Sequence, residues 1–219
     1  MTERSYSDAC GAALALDIVG ERWALLVVRE LMFGPKRFTD LREGLVGISQ
    51  NVLSQRLRDL EEAGVLKHTE LGPPVRAKVY ELTPRGRDLE PTIIALSRWG
   101  ASIEPHAGAQ RSVSSFALLL KALYVPARLG GRTLSVRLVM NGESFEVVAS
   151  DHIDVARSRG IAVDVELRAT VQAYWELIFS TPTVGDFLES GDLSLEGSTE
   201  AAELFFTLFA GPDQANAQP

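Results

Sequence analysis

In residues 49 to 64, SQNVLSQRLRDLEEAG, leucine returns at positions 53, 57 and 60, the three-to-four spacing of one stripe along an α-helix. Ser49 stands where an N-cap accepts a backbone N–H, and Gly64 where a helix stops. Burying Leu53, Leu57 and Leu60 turns Asn51, Gln55 and Arg58 outward, about half a turn away, with Ser54 beside them. Such side chains present donors and acceptors in fixed geometry. Any one of these amides would fit a solvated helix, which is more often covered by Lys and Glu. Together they suit hydrogen bonding to edges that must be told apart.

The flanking segments give that helix a context. Cys10 to Val19 reads as an apolar, alanine-rich helix, and Arg22 to Phe33 as a second with so little polar surface that it must be central. Gly34-Pro35 ends it, Phe38 to Glu43 makes a short third helix, and Gly44 to Gly47 turns the chain into the leucine-striped one. Two strands follow, about Val65 to Glu70 and Ala77 to Leu82, around a stiff Gly72-Pro73-Pro74 tip. Thr83-Pro84 then starts a helix running to about Trp99.

This order is that of a winged helix-turn-helix, in which the second helix of the pair enters the major groove. Amides pair with N6 and N7 of adenine, and guanidinium with O6 and N7 of guanine. Asn51, Ser54, Gln55 and Arg58 are therefore the expected base-reading set. Ser49 and Gln50, at the helix N-terminus, suit a phosphate. Lys36 and Arg37 beside the third helix, and Lys67, Arg76 and Lys78 on the hairpin, are expected to hold phosphates or place the wing against the minor groove.

Charge is compatible with a small specific footprint rather than indiscriminate nucleic-acid binding. Residues 1 to 100 carry 14 basic and 14 acidic side chains and residues 101 to 219 carry 8 and 15, so the net charge of -7 sits wholly in the second part. Residues 36 to 87 hold 10 basic against 7 acidic groups.

The run CGAALALDIVGERWALLVVRELMFGPKRFTDLREGLVGISQNVLSQRLRDLEEAGVLKH, with GPPVRAKVYELTPRGRDLEP and a closing RWG, resembles the HxlR-type winged-helix regulators, relatives of the MarR group. The resemblance covers about residues 8 to 100. It implies a homodimer, with the first helix and the helix ending near Trp99 packing across the two-fold, on an inverted repeat of double-stranded DNA with half-sites roughly one helical turn apart. Members commonly carry a cysteine near Cys10, which in some senses oxidants or electrophiles; this chain has Cys10-Gly11 where the family usually has Cys-Pro. By its own surroundings Cys10 is expected to be a small buried side chain. No Lys, Arg or His lies within four residues on its C-terminal side.

After a small and polar stretch from Ala101 to Ser115 the period changes to two. Leu134, Val136, Leu138 and Met140 share a face of a strand ending at Asn141-Gly142, a tight-hairpin signal, and Phe145, Val147 and Ala149 form the return strand. Ile161, Val163, Val165 and Leu167 make a third one-sided strand. Helices near 170 to 180, 183 to 190 and 199 to 210 follow, with a brief strand at Leu193 to Leu195. The order hairpin, strand, helix, TVGDFLESGDLSLEGSTEAAELFFTLF resembles the sterol-carrier-protein-type fold over about residues 115 to 210, which implies a tunnel for apolar molecules. On that resemblance Leu138, Met140, Tyr174, Trp175, Phe179, Phe187, Phe205 and Phe209 are the expected ligand-binding residues, although aromatics in such positions also simply fill cores.

The expected class is α+β: a winged helix-turn-helix domain over 1–103, an antiparallel sheet covered by helices over 112–211, and a disordered tail at 212–219. No metal-spaced His or Cys pair, nucleophile elbow or Gly-rich phosphate loop is present, so neither enzyme activity nor a cofactor is expected. No apolar run reaches the roughly 18 to 20 residues that span a bilayer, and MTERSYSDACG has no signal-peptide core, which points to a cytoplasmic protein. The expectation is a homodimeric repressor modulated by an apolar effector. The alternatives are a redox regulator acting through Cys10 with a structural second half, or a lipid carrier with a dimerisation module.

Overall fold

The computed structural model describes residues 5–72, 77–181 and 183–211 and divides into two compact units, Met1–Ile93 and Ile94–Pro219. The expected tail at 212–219 and the wing tip lie outside the described residues, apart from the exposed Gly72.

In the first unit α1 (Gly11–Val19) is followed by α2 (Ala24–Leu31), which buries Ala24, Val27, Val28 and Leu31 and packs against α3 (Phe38–Gly44) and α4 (Gln50–Glu62). Helix α2 starts later than expected because Trp23 precedes it in the left-handed region at φ 80°. That conformation is costly for a bulky residue and persists only where its surroundings enforce it. The antiparallel hairpin of β1 (Leu66–Leu71) and β2 (Ala77–Leu82) pairs Leu66 with Leu82 and Glu70 with Lys78. Lys36 and Tyr80 exchange two backbone hydrogen bonds, of 3.0 and 2.8 Å, which join the α2–α3 connection to the wing.

One buried carboxylate ties this unit together. Glu30 is fully buried on α2; its Oε2 accepts from Lys36 Nζ at 2.7 Å and its Oε1 from Arg29 Nη2 at 2.7 Å. Gly44 closes α3 directly against it, and a Cβ there would lie 2.5 Å from Oε2. Charges withdrawn from water persist only when paired, so this cluster fixes α2, the connection at Lys36 and the end of α3 relative to one another.

Thr83 caps α5 (Pro84–Arg87) and bonds the carbonyls of Gly64 and Val65. The single helix expected from Thr83-Pro84 to Trp99 is broken here, and α6 spans Glu90–Gly100. Pro91 is the cause. It has no N–H for the carbonyl of Arg87, but it fits the first turn of a new helix.

In the second unit α7 (Val113–Leu123), capped by Ser112, leads through a 3₁₀ turn at Pro126–Leu129 to β3 (Leu134–Met140). Strand β4 (Glu143–Ala149) returns through Asn141 and Gly142, both at positive φ as a two-residue hairpin turn requires. Next come β5 (Ile153–Arg157), β6 (Val165–Ala169), α8 (Val171–Phe179), α9 (Val184–Ser190), β7 (Leu193–Gly197) and α10 (Thr199–Thr207). The sheet order is β5-β4-β3-β6-β7, and β3 runs parallel to β6. The sheet is therefore mixed, not antiparallel as expected: β5 returns beside β4, and the chain then crosses to the open edge of β3.

Leu134, Val136, Leu138 and Met140 alternate into the core with Phe145, Val147, Val165 and Leu167, where α7 and α10 pack on the sheet and α8 packs on both helices. Glu146, on the other face, holds the connection after β5: its Oε1 accepts from Ser158 Oγ and the N–H groups of Gly160 and Ile161 at 2.8, 2.8 and 3.1 Å. Burial pushes its carboxyl up, but hydrogen bonds from Ser158 and the backbone at Arg159, Ile161 and Gly160 outweigh it and bring the pKa down to about 2.

Lys36→Met keeps the aliphatic stem and removes the charge facing Glu30. It is expected to cost roughly 3 kcal/mol, read as a lower urea midpoint at unchanged slope. Gly44→Ala should also lower that midpoint, whereas exposed Lys78→Ala should leave it in place.

Candidate nucleic-acid interface

Helix α4 is anchored from beneath and dressed from above. Ser49 Oγ accepts from Val52 N at 3.3 Å, and Leu53, Leu57 and Leu60 are all buried. Gln50, Asn51 and Arg58 are exposed, and Ser54 and Gln55 are half-buried on the flanks. The expected reading residues thus share the outward side of one helix, with exposed Ser49 and Gln50 at its N-terminus.

The polar side chains form a chain. Gln55 Nε2 donates to Asp59 Oδ1 at 2.6 Å, and Arg58 Nη2 donates to Gln55 Oε1 at 2.8 Å. Asp59 Oδ2 lies 3.2 Å from Arg56 Nη1, which also lies 3.7 Å from Glu21 Oε2. Arg56 and Asp59 were missed by reasoning from the outward stripe alone, yet the i,i+3 and i,i+4 spacing of 55, 56, 58 and 59 carried the signal. Val52 was missed too: it is 39% exposed, an apolar group beside the reading face where a thymine methyl could pack.

Among the expected phosphate contacts, Arg37 is exposed at the N-cap of α3, where its N–H donates to Asp40 Oδ2 at 3.2 Å. Lys78 is exposed on β2, opposite Glu70, and Lys67 on β1 is paired with Glu81 at 3.0 Å. Arg76 lies outside the described residues. Lys36 needs correction. It is 6% exposed and committed to Glu30, so its ammonium faces the interior rather than a phosphate.

The expected ligand residues of the second unit are mostly core. Leu138, Met140, Tyr174 and Phe205 have no exposed surface, and Phe209 and Phe187 are buried. Tyr174 stacks on Phe116 and Phe206 with centroids 5.9 and 6.3 Å apart, and Phe205 meets Phe206 and Phe209 edge-on. These rings fill the space in which a tunnel was expected. Trp175 is half-buried under the Arg111 guanidinium at 3.6 Å and beside Phe179 at 4.4 Å. An open groove of ≈ 750 Å³ does exist at α8, α9 and α10, lined by Leu177, Ile178, Val184, Phe206 and Phe209 with Arg128 and Glu203 among its polar groups. Of the eight expected residues only Phe209 lines it.

Cys10 is exposed, contrary to the expectation of burial. It is the N-cap of α1, and the backbone N–H groups of Ala13 and Ala12 pull its thiol pKa below the ordinary value, without a full cap hydrogen bond. No described helix is long and apolar enough to cross a membrane.

Known proteins match over the N-terminal part of the chain. The HxlR-like helix-turn-helix family model matches residues 18–107. An uncharacterised HTH-type transcriptional regulator of Mycobacterium tuberculosis is 43% identical over 91 residues, covering 42% of this chain; the chain spans 57% of the length of that relative. The HTH-type regulators YdeP and YvaP of Bacillus subtilis are each 39% identical, over 94 and 93 residues, with 73% and 85% of their lengths and 42% of this chain covered. A solved MarR-family regulator from Enterococcus faecalis is 35% identical over 41% of this chain and 81% of its own, with a TM-score of 0.37. On the identity to YdeP and YvaP across most of their lengths, the chain belongs to the HxlR-like helix-turn-helix family of transcriptional regulators.

Proposed function

We propose that the protein is a sequence-specific, homodimeric DNA-binding repressor on an inverted-repeat operator, modulated by an apolar small molecule held in a sterol-carrier-like second unit. The observation that carries the reading is the outward side of α4. Exposed Asn51 and Arg58 stand there with Gln55 beside them, residue types that pair with base edges in the major groove, on a helix whose leucines fix its rotation. Arg37, Lys78 and the amides at Ser49 and Gln50 supply backbone contacts around it.

Dimerisation is supported by large apolar groups left in water. Leu14 and Leu16 on α1 are 53% and 46% exposed, and Trp99 on α6 is 64% exposed. A second copy would cover them, in keeping with two-fold operators. The effector reading is supported by the groove at α8 to α10, whose apolar floor would bind a hydrophobic molecule. An effector acts by its differential affinity for the DNA-competent arrangement, and about 1 to 3 kcal/mol of coupling suffices. The redox alternative is favoured by the exposure and lowered pKa of Cys10.

Arg58→Ala is expected to cost roughly 1 to 3 kcal/mol on the duplex best enriched from a randomised library and to relax specificity, while Lys78→Ala weakens all duplexes alike and flattens the salt slope. Fluorescence anisotropy on enriched and random duplexes separates the two. Equal losses on both duplexes for Arg58→Ala, or no enrichment at all, would contradict base reading and favour a carrier. For the groove, Ile178→Arg should weaken the binding of an anilinonaphthalene sulfonate probe about tenfold; unchanged binding would place the apolar site elsewhere. For Cys10, iodoacetamide alkylation should have its midpoint at lower pH than that of a free cysteine peptide measured alongside, because the lowered pKa fills the thiolate at lower pH. If Cys10→Ser abolishes an oxidant response of DNA binding, the redox reading stands; the effector reading predicts little change.

A further inference from the structure

We propose that Asp59 is a specificity-determining positioning residue: it fixes the Gln55 amide so that this amide aims Arg58 at a base edge. The proposal rests on the base-reading role of α4 given above.

An ionised carboxylate accepts hydrogen bonds and donates none, so the atom of Gln55 that faces Asp59 at 2.6 Å must be the amide nitrogen. The amide oxygen is thereby turned to the other side, where it takes Arg58 Nη2 at 2.8 Å. One hydrogen of Nη2 is used. The second, with Nη1 and Nε, remains for the fork that a guanine edge accepts. Asp59 is itself held from behind by Arg56, which reaches Glu21 ahead of α2. The chain Glu21, Arg56, Asp59, Gln55, Arg58 thus runs from the α1–α2 connection to the outward side of α4.

The ion pair with Arg56 uses one oxygen of Asp59 and leaves the other for Gln55. A carboxylate about one turn from the reading residues repels a polyanion and lowers affinity for every duplex. Without it, the amide is free to turn over and present its nitrogen to the guanidinium, donor against donor, and Arg58 is released to any phosphate within reach. As a bare surface charge Asp59 would weaken all duplexes equally. As an anchor it weakens random DNA most and so raises discrimination.

The test compares full-length variants by anisotropy at fixed salt, on the duplex enriched by the wild-type chain and on a random duplex of equal length. Asp59→Ala should tighten random DNA about threefold and lower the ratio of enriched to random affinity about tenfold, the scale of one fixed guanine contact. Asp59→Glu, which keeps an acceptor, should restore most of the ratio. In an Arg58→Ala background, adding Asp59→Ala should change the ratio less than about twofold, because the two act through one contact. Should Asp59→Ala melt lower than wild type, Gln55→Ala removes the middle link and should reproduce the loss. If Asp59→Ala tightens both duplexes by the same factor while Arg58→Ala lowers the ratio, Asp59 is only a surface charge and the proposal is overturned. If Arg58→Ala itself leaves the ratio unchanged, base reading fails and the positioning role falls with it.

Discussion

A carboxylate with no access to water has to be met by charge from the elements around it, and in the first unit that demand is placed by Glu30. Lys36 arrives from the α2–α3 connection and Arg29 from the same helix, while the end of α3 comes in at Gly44, close enough that a side chain there would displace the carboxylate. The same connection is stitched to β2 through the backbone of Lys36 and Tyr80. Helix α3, its turn into α4 and the wing are therefore referenced to one buried point. A reading helix has to enter a groove at a set angle, and an ionic anchor with fixed distances defines an angle better than an apolar contact that can slide.

The parts of this fold that were legible are those with two distinct environments. Leu53, Leu57 and Leu60 against Asn51, Gln55 and Arg58 give α4 a period that survives any reasonable noise, and the alternation of β3 does the same at period two. Helix α7 was not legible: Phe116, Ala117, Leu118, Leu119 and Leu120 are all buried, so no polar face marks the turns. Strand β5 was missed because IDVAR is short and carries one fully buried residue, Val155. The parallel pairing of β3 and β6 is set by where the chain crosses after β5, and side-chain alternation holds no information about strand direction.

The site shows a similar division. Residue types disclosed which side chains are equipped to hydrogen-bond bases, but not which are already engaged. Lys36 looked like its neighbour Arg37, yet one faces Glu30 and the other solvent. The decisive difference is a partner six residues upstream on another helix, which local spacing does not reveal. Cys10 erred in the opposite sense. The sequence around it is apolar, but α1 buries only Ala13 and Val19, leaving its first turn and its cap largely exposed. In the second unit the sequence shows large apolar side chains on the helices, but such rings can surround a cavity or fill it. Stacking distances of 5.2 to 6.3 Å among Phe116, Tyr174, Phe205, Phe206 and Phe209 show that these rings fill it.

Charge sets the kind of recognition open to such a molecule. A strongly basic protein gains affinity from counterion release on any duplex and then needs base contacts only to choose among sites. This chain, at a net charge of -7, has little of that general attraction to draw on. Several of its basic groups in the first unit are also engaged: Lys36 with Glu30, Lys67 with Glu81, and Arg56 with Asp59 and Glu21. Under those conditions discrimination depends on few contacts held in fixed geometry, because a loosely held guanidinium would be satisfied by whatever phosphate it met. The pairing of acidic and basic side chains along α4 lowers attraction to nucleic acid in general, and in the proposed role of α4 it keeps the remaining donors oriented for one edge in particular.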